Sequence, residues 1–137
     1  MNQLVIFNNE TTERQMYATL DTTLKENKAK LFNATENADV LAMDCVNSEL
    51  VLKDVYLEKI PKVNEETGEL DGYKYRTILF DEDGKTYASG AYGMYNTVAK
   101  ILSIYGIEYL HEEGLKVVIT RGSSKEGKNR LFLKIAE

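Results

Sequence analysis

Histidine, cysteine and proline each occur once in these 137 residues, and tryptophan does not occur at all. The lone cysteine, Cys45, excludes an internal disulfide and points to a reducing, cytoplasmic setting. With His111 as sole histidine, a zinc site or a histidine-based catalytic triad has almost no raw material. No run of about 18 apolar residues is present, so no membrane-spanning helix is expected. The first ten residues lack the basic start and long apolar stretch of a secretory signal. There is neither an internal repeat nor a low-complexity tract, and the length suits one domain able to bury a core without staples. Aromatic chemistry therefore falls to nine tyrosines and four phenylalanines.

Basic charge is also short in total, with a net charge of −5. Its distribution is uneven. Residues 1–49 carry four Lys/Arg against eight Asp/Glu, whereas residues 50–137 carry thirteen against fourteen. Within the second part, residues 115–134 hold Lys116, Arg121, Lys125, Lys128, Arg130 and Lys134 against Glu126 alone. Local field rather than total charge steers a polyanion. A solvated, lysine-rich hairpin would produce the same pattern.

Hydrophobic periodicity divides the chain into a prefix, residues 1–49, and a domain, residues 50–137. In the prefix, Leu4–Phe7 reads as an edge strand or anchoring arm, residues 8–13 as loop, and residues 15–21 as a short strand. A helix begins with Asn27 as N-cap and places Ala29, Leu31, Phe32 and Ala34 on one stripe. A second turn holds Leu41, Met43 and Val46. The prefix is thus expected to be mainly helical and to pack on the domain.

The domain reads strand, strand, strand, helix, strand, strand. Residues 50–60 alternate in the manner of a strand, and Pro61 is expected at a strand end or edge. Residues 64–72 form a polar excursion, residues 73–81 a second strand, and Asp81-Glu82-Asp83-Gly84 a tight turn into a third. Met94, Val98, Ile101, Leu102 and Tyr105 mark one face of a helix that Gly106 ends. Residues 115–121 and 130–135 supply the last two strands. This order fits a mainly β, five-stranded Greek-key OB barrel with its helix between strands three and four. An open α+β sandwich and an SH3-like barrel compete for the same pattern.

The residues best suited to ligand binding are tyrosines and cations on these strands. Tyr56, Tyr73, Tyr75, Tyr87 and Tyr92, with Tyr95, lie on or beside the first three strands and the helix start. Lys53, Lys59, Lys62, Lys74 and Arg76 accompany them. Rings stack on bases without regard to sequence, at roughly 1–3 kcal/mol per base, and cations track phosphates. Aromatic residues also favour strands for packing alone. In the second strand Tyr73 and Tyr75 share one face, and Lys74 and Arg76 the other. Sequence does not say which face is inside. The hairpin of residues 120–130 adds Arg121, Lys125, Lys128 and Arg130, while the loop at residues 62–72 is acidic through Glu65, Glu66, Glu69 and Asp71.

Enzyme signatures do not assemble. Gly122-Ser-Ser-Lys-Glu-Gly-Lys fails the Walker pattern. The stretch at Asp81 lacks calcium-loop spacing and reads as a turn. Cys45 reads as a buried structural thiol, and His111 with Glu112 and Glu113 as a surface loop. No catalytic set, cofactor or metal is expected.

The segments Val51–Ile60, Tyr75-Arg-Thr-Ile-Leu-Phe-Asp-Glu-Asp-Gly-Lys-Thr-Tyr-Ala-Ser89 and Gly93-Met-Tyr-Asn-Thr-Val-Ala-Lys-Ile-Leu-Ser-Ile-Tyr-Gly106 resemble bacteriophage single-stranded DNA-binding proteins. So does the lead-in Lys28-Ala-Lys-Leu-Phe-Asn-Ala34 with Asp44-Cys-Val-Asn-Ser-Glu49, and the closing block from Val117 to Ile135. The resemblance implies a non-enzymatic, sequence-tolerant protein that coats single-stranded DNA during phage replication or recombination in the host bacterial cytoplasm. It also implies replication proteins and further copies of the chain as partners. Two departures are the absence of an acidic C-terminal tail and of tryptophan. A protein-binding OB adaptor in replication or virion assembly is the alternative.

Overall fold

A computed structural model describes residues 13–123 and 129–137 of the chain. It is mainly β, a curled and open sheet with a few helices. Among the described residues the strands are β1 (Gln15–Ala18), β2 (Val40–Leu41), β3 (Glu49–Val63), β4 (Leu70–Asp81), β5 (Thr86–Ser89), β6 (Leu115–Ser123) and β7 (Asn129–Ile135). The helices are α1 (Lys25–Glu36), α2 (Tyr92–Ile104) and α3 (Ile107–Glu112), and a 3-10 turn spans Ala42–Cys45. The expected order of three strands, a helix and two strands is present from β3 to β7.

The sheet runs β2-β5-β4-β3-β6-β7, and β1 also pairs with β3. Strand β3 organises it. One edge pairs with β4 along nearly its whole length, while the other is shared by β6 at residues 49–52 and β1 at residues 56–59. A register shift between Leu52 and Asp54 falls at the changeover, where an irregularity bends and twists a strand. Thr19 serves the backbone there: its Oγ1 accepts a bond from Val55 N at 2.9 Å and donates to Asp54 Oδ1 at 2.8 Å. Pro61 lies inside β3 rather than at its end. Pairing with β1 stops at Lys59, and a second register shift separates Pro61 from Val63, so no partner needs the missing donor.

Both faces of β3 and β4 are covered. On the inner face Val55, Leu57, Leu79, Val117, Ile119 and Leu133 pack with Met94, Val98, Ile101 and Leu102 of α2. On the outer face Tyr56, Ile78 and Phe80 pack with Leu20 and with Ala34 of α1. Each such side chain stabilises the fold by roughly 1.5–3 kcal/mol when fully buried. Two-sided burial explains the unbroken apolar run Ile78-Leu79-Phe80. The helix α2 ends as expected, with Gly106 at φ 85° and its N–H bonded to Leu102 O.

Several expectations are corrected. The prefix mixes helix with strand: β1 and β2 pair into the sheet, with α1 and the 3-10 turn between and after them. Helix α1 begins at Lys25, not after Asn27, because the residues from Asp21 already turn through Leu24 N to Asp21 O, and the Asn27 amide donates back to that carbonyl at 3.0 Å. The stretch around His111 is the helix α3, and His111 Nε2 lies 2.6 Å from Asp54 Oδ1, tying α3 to β3. The five-stranded barrel is not closed, because β5 and β7 do not pair among the described residues. The segment Leu4–Phe7 lies outside the described residues.

Candidate nucleic-acid interface

Beyond the inner core, alternation along β4 carries Tyr75 and then Tyr73 onto the rim of the inner face, in line with Leu79 and Thr77. The first turn of α2 brings Tyr92 and Tyr95 against them. Ring centroids lie 4.7 Å apart for Tyr75 and Tyr95, 4.9 Å for Tyr75 and Tyr92 in an edge-on contact, and 6.4 Å for Tyr73 and Tyr75. Tyr95 is buried, Tyr73 and Tyr75 are half-buried, and Tyr92 is 56% exposed. Lys59, opposite Tyr75 in the β3–β4 register, sets its ammonium 4.2 Å from the Tyr73 ring centre. That cation–π contact holds a charge beside the half-buried rings, on a side chain that is itself only 8% exposed. Burial, and then the neighbouring Tyr92 and Tyr73 hydroxyls, push the Tyr75 pKa up.

A groove of about 550 Å³ opens beside this cluster, in the gap between the end of β5 and the ends of β6 and β7. Arg121, Arg130 and Leu131 line one side, Ser89 to Ala91 the other, and Leu41 and Met43 a third. Among the described residues its lining carries two arginines and no carboxylate. Arg130 is braced by its neighbours: its guanidinium lies 4.4 Å from the Phe132 ring centre, and its stem packs against Gly93 at the start of α2. Ala91, on the groove, directly precedes Tyr92, so groove and tyrosines share one segment.

Four of the remaining candidate residues have other occupations. Tyr56 and Tyr87 are 5% and 6% exposed and belong to the outer and inner cores. Lys53 donates to His111 O at 2.8 Å, at the end of α3. Arg76 donates to Thr35 O in the last turn of α1, where a cation suits the helix dipole. Lys74 is exposed on the same outer face as Arg76. Lys125 and Lys128 lie outside the described residues. The structure thus brings Lys59, Tyr73, Tyr75 and Tyr92 together, and separately Arg121 and Arg130. Leu41 and Met43, which line the groove, and Phe132, which braces Arg130, are residues that sequence reasoning missed. Phe132 alone had a signal there, since it shares a strand face with Arg130.

The loop between β3 and β4 keeps its acidic residues exposed and is ordered by Asn64, whose Oδ1 accepts bonds from Glu66 N and Thr67 N. Among the described residues no three His, Cys, Asp or Glu side chains come together as metal ligands. No described helix is long and apolar enough to cross a membrane.

Residues 10–136 match the family of phage single-stranded DNA-binding proteins, phi29 type. The chain belongs to that family. Membership supports single-stranded DNA binding as its general activity and single-stranded DNA as its partner. No curated protein and no solved structure matches the chain.

Proposed function

We propose that this phage single-stranded DNA-binding protein holds its ligand along the inner rim of the curled sheet, irrespective of sequence. Bases stack on Tyr92 and the neighbouring rims of Tyr75 and Tyr73, and phosphates are drawn by Lys59, Arg121 and Arg130. Lys125 and Lys128, which fall between β6 and β7 in sequence, add to the cationic path. In this role the protein coats and protects single strands during phage replication or recombination in the host cytoplasm. The observation that carries the reading is the continuity of a partly exposed aromatic cluster with a groove whose described lining holds two arginines and no carboxylate. The pairing of β3 with β4 and β6, of β4 with β5, and of β6 with β7 supports a partly open OB barrel with β3 as first strand. Such barrels present strands two and three, here β4 and β5, to oligonucleotides.

Titrating oligo(dT) while following tyrosine fluorescence tests this reading. Quenching is expected at low salt, reversed by added salt, and weakened in Tyr92→Ala by about 1–3 kcal/mol, the worth of one stacked base. A folded protein whose fluorescence is unchanged by oligo(dT) at low salt would refute it.

A further inference from the structure

The prefix places two apolar side chains on the surface where none is needed for packing. Leu41 and Met43 are 52% and 55% exposed. Their segment is nonetheless firmly held. Val40 packs on the inner core, Ala42 is fully buried, and β2 pairs with Tyr87 and Ala88 of β5. Asp39 clamps the segment further: its Oδ2 accepts from Thr86 N at 2.9 Å, and its N–H donates to Thr86 Oγ1 at 2.8 Å. Alternation about these anchors aims Leu41 and Met43 outward, into the groove that Arg121 and Arg130 line.

From this placement we infer that Leu41 and Met43 form the base-facing wall of the groove, and that single-stranded DNA passes between them and the two arginines. The inference deepens the proposed function and rests on it. Unstacked bases present apolar faces within a few ångströms of charged phosphates. A wall of aliphatic and thioether groups opposite guanidinium groups matches that chemistry, and the polarizable methionine adapts to any base. Two arginines and no carboxylate among the described lining residues favour a polyanion over a basic partner. Continuity through Ala91 to Tyr92 carries one strand from the rings into the groove. The prefix is then part of the binding surface as well as of the packing.

Charge reversal at one exposed site tests the path. At low salt, Met43→Glu is expected to weaken oligo(dT) binding about fivefold and Met43→Lys to strengthen it by a similar factor, the effect of one unit charge a few ångströms from a phosphate in water. The same pair of substitutions at Met16, which is 61% exposed on the outer face of β1, is expected to change affinity less than about twofold, because a charge on that face lies farther from the groove and interacts only weakly through water. Equal weakening by both Met43 variants, no change in either, or an equal response at Met16 would overturn the groove assignment. If the unaltered protein binds oligo(dT) in those experiments, single-stranded DNA binding stands and only the groove assignment falls, the tyrosines being tested separately by Tyr92→Ala. If it fails to bind, the proposed function itself falls.

Discussion

Strand tyrosines serve two physical purposes here, rim and core, and strand alternation helps decide which. Tyr73 and Tyr75 follow Leu79 to the inner rim, whereas Tyr56, one face over, is buried beneath α1 with Ile78 and Phe80. The division of β4 into a tyrosine face and a Lys74/Arg76 face was legible from parity alone. Which face lay inside was not, because α1 and α2 cover opposite sides and both faces are buried farther along. Burial of Tyr56 and Tyr87 has a measurable consequence. Tyr56 has its pKa pushed up to about 12, by burial first and then by the negative charge and hydrogen bond of Glu58. Tyr87 is also raised to about 12, by burial and by its bond to Asp81. A folded-state pKa above the unfolded value near 10 means the stabilisation is complete below pH 10 and is lost as pH rises towards 12. Denaturation midpoints measured from about pH 8 to 12 should fall in that window. Tyr56→Phe and Tyr87→Phe should each flatten the fall, and an unchanged slope in both would contradict their burial as neutral phenols.

At the scale of elements, the apolar stripe of α2 was readable because five residues repeat at helical spacing. The seam it forms with β7 was not, because it depends on a residue with no side chain. A Cβ on Gly93 would lie 2.6 Å from Leu131 O and 3.0 Å from Arg130 Cγ. Gly93→Ala gains helix propensity, at most about 1 kcal/mol and less near a helix end. It must also displace backbone, and overpacking of that kind costs about 1–3 kcal/mol. The clash outweighs the propensity, so a net loss of about 1–2 kcal/mol is expected in urea denaturation. A more stable variant would show that α2 and β7 sit farther apart than described. The strand β2 was equally hidden from sequence. A two-residue parallel pairing has no period to detect, and it is Asp39 bonding across to Thr86 that fixes it.

For the whole molecule, a net charge of −5 and an affinity for a polyanion are reconciled by geometry. Repulsion from distant carboxylates is screened beyond about 8 Å at physiological ionic strength, whereas cations within hydrogen-bonding reach of a phosphate displace its condensed counterions directly. The acidic prefix turns much of its charge outward, and the carboxylates of the β3–β4 loop are absent from the arginine groove, whose described lining contains none. Salt dependence therefore counts local contacts and ignores total charge. A plot of log affinity against log salt should fall linearly, with a slope of about −0.7 for each phosphate neutralised on a single strand. Arg121→Ala and Arg130→Ala should each lower affinity for all sequences alike and make that slope shallower by about 0.7. Lys74→Ala, exposed on the outer face beside Arg76, should leave the slope unchanged. If Lys74 shifts the slope and the two arginines do not, the strand runs over the outer face, and the alternation of β4 points the ligand the other way.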